Sequence, residues 1–168
     1  MSDHRTLILN SLQVEQKINR MTYQVYEQNF EEKELVLAGI GNRGMQLAEM
    51  VGAKLTAIAH FPVSLLHINL NKNNPLDEEI KVTPVDINLQ DKAVIVVDDV
   101  LYTGKTLTYS LLPFLQKRVR KLQVLVLVNR AHTSFPVSPD FTGISLATTL
   151  QEHIDVELAS GEMGVYLS

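Results

Sequence analysis

The 168-residue chain contains no cysteine and no tryptophan. The missing cysteine excludes disulfides, zinc–thiolate sites and thiol nucleophiles. Basic charge is also scarce: 15 Lys and Arg stand against 19 Asp and Glu, a net charge of -4. A dedicated nucleic-acid binder is usually basic, so this balance argues against that class. No apolar run approaches the roughly 20 residues a membrane span needs. The opening residues, MSDHRTLILNSLQ, lack the basic, apolar and small-residue segments of a signal peptide. A cytoplasmic protein without a membrane partner is the resulting expectation. What is present, 45% hydrophobic and 20% charged residues, supplies a core and an ordinary surface and excludes a largely disordered chain. The length predicts one domain over residues 1–168.

Asn10 or Ser11 can cap a helix, with Gln13 completing a capping box, and Val14, Ile18, Met21 and Val25 then recur at helical spacing. The spacing predicts a helix ending near Asn29. Leu35 to Ile40 reads as a buried strand, Gly41 to Gly44 as a tight turn, and Met45 to Leu55 as the next helix. Val63 to Leu70 reads as a strand. Asn71 to Glu79 is polar and aperiodic and predicts a mobile loop. Lys92 to Val97 is a strand, Asp98 to Gly104 a turn, and Lys105 to Gln116 a helix that Pro113 should end or kink. The basic run Lys117 to Lys121 reads as a solvated helix end, with a phosphate-binding patch as its alternative. Leu122 to Val128 is the most apolar strand, Asn129 to Asp140 is irregular, and short strands close the chain at Asp155–Leu158 and Gly164–Leu167. Strands alternating with helices predict an α/β fold: a mostly parallel central sheet with helices on both faces. Ligands of such sheets bind beyond the carboxyl ends of the strands, which here are the turns after Ile40, Leu70, Val97 and Val128.

Two familiar phosphate patterns fail in this sequence. Gly39-Ile40-Gly41-Asn42-Arg43-Gly44 fits G-x-G-x-x-G between a strand and a helix, but the next strand ends His67-Ile68-Asn69-Leu70, without the carboxylate that holds a dinucleotide ribose. Gly104-Lys105-Thr106 resembles the end of a P-loop, but the earlier glycine is replaced by Asp99. What survives is Val94-Ile95-Val96-Val97-Asp98-Asp99-Val100-Leu101-Tyr102-Thr103-Gly104-Lys105-Thr106. The Thr103–Thr106 turn offers backbone N–H groups, two hydroxyls and a helix start, which suit a phosphate monoester. The acidic pair cannot hold phosphate; it can accept hydrogen bonds from vicinal hydroxyls or position a hydrated Mg²⁺. Together they point to a sugar phosphate. The alternatives are an N-cap pair closing a strand–helix turn and the acidic pocket of a receiver domain, although the latter belongs nearer a chain's start. The turn also reads as exposed, so a bulky residue at Gly104 should crowd the phosphate more than it harms folding.

Val96 to Thr106 resembles the phosphoribosyl pyrophosphate motif of type I phosphoribosyltransferases. Gly39 to Ala48 is similar to the pyrophosphate loop and helix of their PyrR branch, which joins pyrimidine-operon attenuation to uracil phosphoribosyltransferase activity. Leu127-Val128-Asn129-Arg130-Ala131-His132, through Pro136 and Asp140, resembles that branch's nucleobase-side segment. The resemblance implies the family's fold with a small hood segment, Mg²⁺ as cofactor, phosphoribosyl pyrophosphate and a nucleobase as substrates, and a homodimer or higher homo-oligomer. It places Asp98 and Asp99 at the ribose hydroxyls, with an indirect hold on Mg²⁺ through water. The implied phosphoribosyl pyrophosphate-binding run continues through Val100, Leu101 and Tyr102 to Thr103, Gly104, Lys105 and Thr106 around the 5-phosphate. Gly41, Asn42, Arg43 and Gly44 face pyrophosphate, and Lys72 sits where a loop Arg contacts it. Arg43, Lys72, Asp98 and Asp99 form the implied catalytic set; Asn129, Arg130 and His132 form the nucleobase side.

The chain departs from that pattern in identifiable places. Its loop reads Asn71-Lys72-Asn73-Asn74-Pro75 rather than acidic with Arg, and Asn129-Arg130-Ala131-His132-Thr133 replaces an Asp-Arg-Gly-His-Arg run. On the first helix Arg20 matches the RNA-contacting pattern, but Asn19, Tyr23 and Gln28 stand where Thr, His and Arg are typical. The implied activity is uracil phosphoribosyl transfer. An RNA-binding regulator with weak or lost catalysis and a purine-type transferase are the alternatives.

Overall fold

The computed structural model describes residues 4–130 and 132–168; Ala131, within the nucleobase-side run, and the first three residues of the N-terminal reading lie outside the described residues. The architecture is the expected one, a mostly parallel sheet flanked by helices. Its six strands are β2 (Leu35–Ile40), β3 (Val63–Asn69), β4 (Lys81–Thr83), β5 (Ala93–Leu101), β6 (Lys121–Arg130) and β7 (Phe141–Leu146), in the order β4-β3-β2-β5-β6-β7. Only β4 runs antiparallel to its neighbour. A second sheet of β1 (Thr6–Leu9), β9 (Gly164–Leu167) and β8 (Ile154–Glu157) joins the two chain ends and forms the hood.

The apolar runs are continuous because both faces of the main sheet are covered. Leu35, Leu37, Ile95, Val97, Leu125 and Leu127 pack on the side of α1 (Ser11–Gln28) and α2 (Gly41–Ile58). The alternate residues, Val36, Ala38, Val94, Val96, Val124 and Val126, pack with Leu107 of α3 (Lys105–Ser110) and Phe114 of α4 (Leu112–Leu115). The capping box of α1 forms as expected, with Asn10 and Gln13 exchanging side-chain to backbone bonds of 2.9 Å.

Two readings are corrected, one is borne out and three strands are added. Gly41 to Gly44 is not a separate turn: Gly41, at φ +58°, makes the corner in one residue, and α2 begins there. Asp98 to Leu101 is strand rather than turn, because β6 continues to supply a parallel partner as far as Asn129. The helix after Gly104 divides at Leu111, as Pro113 required, and its second piece has proline in its first turn. Strands β1, β4 and β7 are additions.

The site is positioned by topology. From β2 the chain leaves through α2 to β3 on one side; from β5 it leaves through α3 and α4 to β6 on the other. Connections that diverge from adjacent parallel strands open a crevice at their carboxyl ends. Register sharpens it: β2 pairs with β5 only as far as Gly39 with Val97, so Asp98 to Leu101 project past β2.

Candidate active site

Asp98 and Asp99 occupy the first two positions of that overhang. Successive strand side chains point to opposite faces, and each carboxylate meets a different cation. Lys72 Nζ lies 3.7 Å from Asp98 Oδ1, and Arg43 Nη1 lies 4.0 Å from Asp99 Oδ2. Lys72 arrives from the loop after β3 and Arg43 from the first turn of α2. Asp98 Oδ1 also accepts from the Asp99 backbone N–H at 2.9 Å. Both carboxylates are buried, Asp98 to 3% exposure. Burial pushes the Asp98 carboxyl well above its ordinary range; the neighbouring Asp99 adds to the shift, and Lys72 opposes it.

A cleft of about 340 Å³ opens over this pair, lined by Arg43, Lys72, the stretch Asp98 to Leu107, and Ile154. Below the carboxylates the chain turns through Gly104, at φ +85°, into α3, where the Lys105 backbone N–H donates to Thr103 Oγ1 at 3.2 Å. Lys105 Nζ donates to the Asn73 carbonyl at 3.2 Å, and Asn71 Oδ1 accepts from the Asn73 and Asn74 N–H groups, so the polar loop is tethered beside the turn. α2 docks tightly against β5: a Cβ on Gly44 would stand 2.7 Å from the Val97 carbonyl. No side chain caps the start of α2, so its first N–H groups are open to an anion. The cleft thus combines acceptors suited to hydroxyls with two anion-binding corners.

Asn129, Arg130 and His132 do not line this cleft; Arg130 and His132 brace the hood. The Arg130 guanidinium lies over the Tyr102 ring, 5.3 Å from its centroid, and donates to the Thr149 carbonyl. His132 Nε2 meets the Thr148 carbonyl at 2.9 Å. The Tyr102 hydroxyl donates to the Ile154 carbonyl at 2.7 Å and accepts the Ile154 N–H at 2.9 Å, locking β8 to the turn that follows β5. Burial raises the Tyr102 pKa, keeping its hydroxyl a donor. Asn129 Oδ1, Arg130 Nε and Thr148 Oγ1 are buried without a protein partner. Sequence reading missed Ile154, 52 positions from Tyr102, and His67, whose Nε2 lies 3.1 Å from the Gly41 carbonyl oxygen. The partial alternation of Val63 to Leu70 was the only signal for His67.

The exposed-turn reading of Gly104 is also corrected. Gly104 is buried beneath Phe135 and Val137, and that segment hangs from the Thr103 carbonyl through the Ser134 and Phe135 N–H groups at 2.7 and 3.1 Å. A Cβ there would fall 2.5 Å from Val137 Cγ1. Gly104→Val therefore lowers thermal stability, by about 1–3 kcal/mol, and abolishes ribose 5-phosphate binding. Thermal denaturation and calorimetry read the two effects separately, and unchanged ribose 5-phosphate affinity would remove the phosphate cradle.

The phosphoribosyl transferase domain family matches residues 4–160. The chain belongs to that family. This phosphoribosyltransferase is 33% identical to bifunctional protein PyrR of Ligilactobacillus salivarius, over 95% of this chain and 96% of the relative. It is 35% identical to the Fusobacterium nucleatum protein of the same name, over 90% of each. Its fold is shared with solved purine-base transferases. A hypoxanthine-guanine phosphoribosyltransferase from Bacillus anthracis superposes with a TM-score of 0.74 at 18% identity, over 97% of both chains. The hypoxanthine phosphoribosyltransferase of Trypanosoma cruzi gives 0.77 at 14% identity, over 96% of this chain and 95% of that one.

Proposed function

We propose that residues 1–168 act as one phosphoribosyltransferase domain that joins uracil to phosphoribosyl pyrophosphate, releasing pyrophosphate and a nucleoside monophosphate. The observation that carries this reading is the meeting of Asp98, Asp99, Arg43 and Lys72 with the Thr103–Thr106 turn in one cleft. The uracil assignment rests on the PyrR relatives, and hypoxanthine or guanine is the competing base suggested by the structural neighbours.

In this mechanism the base nitrogen attacks ribose C1 as the C1–oxygen bond to pyrophosphate breaks, positive charge grows on the sugar while the leaving group gains negative charge, and the nitrogen's proton is released to water. Asp98 and Asp99 accept hydrogen bonds from the ribose hydroxyls and fix the ring. Thr103, Gly104, Lys105 and Thr106 hold the 5-phosphate. Arg43, with the open N–H groups of the Gly41–Gly44 stretch and Asn42, holds pyrophosphate, and Lys72 adds charge to the leaving group. Tyr102 and Arg130 hold the hood segment, with His132 setting the backbone around Thr148, and the nucleobase side is assigned to Asn129, Arg130 and His132 on the family resemblance.

Among the described residues no group of three or more His, Cys, Asp or Glu side chains could hold a metal. The Asp98–Asp99 pair on the cleft wall nevertheless fits Mg²⁺, which keeps most of its waters and needs few protein ligands. When bound, the ion neutralises charge on the departing pyrophosphate.

RNA binding is the less supported partner. Arg20, the first-helix residue that matches the RNA-contacting pattern, is engaged with the Thr142 and Gly143 carbonyls. No helix among the described residues is long and apolar enough to cross a membrane; a cytoplasmic homo-oligomer is proposed on the family resemblance alone. The deciding test is product formation from uracil, hypoxanthine, guanine and orotate with phosphoribosyl pyrophosphate and Mg²⁺. Uracil should lead; turnover of a purine alone overturns the base assignment, and no turnover with any base overturns the transferase reading. RNA retention that weakens steeply with salt would restore the regulator.

A further inference from the structure

The pyrophosphate corner is held from behind by a residue outside the phosphoribosyl motif. His67 lies on β3, in register with Gly39 of β2, and its Nε2 stands 3.1 Å from the Gly41 carbonyl oxygen. A carbonyl can only accept, so the His67 Nε2–H donates. The bond lands where the backbone is least constrained by side chains. Gly41 turns at φ +58°, and Ile40 before it provides no side-chain cap to α2. The same residue borders the loop cation, because a Cβ on Gly41 would touch Lys72 Cε at 3.4 Å.

The peptide bond carries the effect of this contact into the site. In a planar trans peptide the C=O and the following N–H point in opposite directions. Fixing the Gly41 carbonyl against His67 therefore fixes the Asn42 N–H the other way. That N–H is one of the helix-start donors without an intrahelical acceptor. The next residue is Arg43, which reaches Asp99 and the cleft.

We propose that His67 is a positioning residue: it orients the first turn of α2, and with it the Asn42 N–H and the Arg43 side chain, to receive pyrophosphate. The proposal rests on the transferase reading above. It assigns His67 no contact with substrate.

The test compares His67→Phe, which keeps an aromatic ring without the donor, with His67→Gln, which returns an N–H at similar reach. The probes are Mg²⁺–pyrophosphate and ribose 5-phosphate, titrated separately by calorimetry. His67→Phe should weaken pyrophosphate binding roughly two- to tenfold, the span of one net hydrogen bond, while ribose 5-phosphate binding stays as in the wild type. His67→Gln should recover most of the loss, and kcat should follow pyrophosphate affinity across the three proteins. Equal pyrophosphate affinity in wild type and His67→Phe removes the role of His67 and leaves the transferase reading standing. Equal losses for both probes, without recovery in His67→Gln, show a structural role and overturn the proposal. A wild-type protein that binds neither probe overturns the transferase reading and this inference with it.

Discussion

Asp98→Asn with Asp99→Asn is expected to raise the apparent dissociation constant for phosphoribosyl pyrophosphate by about 10²- to 10⁴-fold, since a hydrogen bond to a charged group is worth roughly 1.5–3 kcal/mol and two are weakened. The same change should make the protein more stable at neutral pH. Burial raises the Asp98 carboxyl well above its ordinary range, with Asp99 adding to the effect. A carboxyl whose folded value exceeds its unfolded value takes up a proton on folding. Its favourable contribution is complete below the unfolded value and is lost as pH rises through the folded one. At neutral pH, above the unfolded value, burying the Asp98 carboxyl therefore costs stability, and burying an amide carries no such cost. Asp98→Asn alone should melt higher than wild type at neutral pH, and the difference should shrink toward about pH 4, near the ordinary carboxylate value. Loss of affinity together with a gain in melting temperature separates a binding role from damage to the fold. An N-cap role, the alternative for this pair, predicts the reverse: stability lost and affinity kept. Wild-type affinity in the double variant would contradict the assignment.

The parts of this cleft that were readable from the residues themselves are those that are contiguous in sequence, while Arg43 and Lys72 were brought to it by the family resemblance. Val94 to Thr106 carries strand, carboxylates, turn and helix start in one run, and the fold keeps it so apart from extending the strand to Leu101. The buried strands were readable because both faces of β2, β5 and β6 meet helices, leaving continuous apolar runs. β7 was not, because its inward positions include Gly143, where a Cβ would lie 2.4 Å from the Leu127 carbonyl. Close approach to β6 selects a residue without a side chain and erases the alternation that marks a strand. Contacts between distant positions were also hidden. Nothing in the local pattern joins Tyr102 to Ile154 or His67 to Gly41; parallel register and the closing of β1 onto β9 bring them together. Nor does local sequence reveal that Asp98 is buried: that follows from β5 outrunning β2 while α2 packs over the overhang.

Lys72 is where the loop and the carboxylates act on each other. In the described structure its ammonium stands 3.7 Å from Asp98, presented by a loop that Lys105 tethers through the Asn73 carbonyl. Lys72 pulls the Asp98 carboxyl back toward its ionised form, and the Asp99 backbone N–H does so to a lesser degree. Two consequences follow from its removal. Lys72→Ala deprives the departing pyrophosphate of a nearby cation, and losses of single electrostatic donors of this kind cost on the order of 10² in rate. Because the charge on the leaving group is greatest in the transition state, kcat should fall more than the KM for phosphoribosyl pyrophosphate rises. The second consequence is in the pH profile. Without the ammonium, Asp98 ionises at higher pH, so the acid limb of kcat/KM moves upward in Lys72→Ala. Lys72→Arg keeps the charge and adds a second donor edge, so it should hold or raise activity and leave the acid limb in place. Steady-state kinetics across a pH series check all three. Rates for Lys72→Ala within about threefold of wild type, with an unmoved acid limb, reduce Lys72 to a solvated loop residue and leave pyrophosphate to Arg43 and the start of α2.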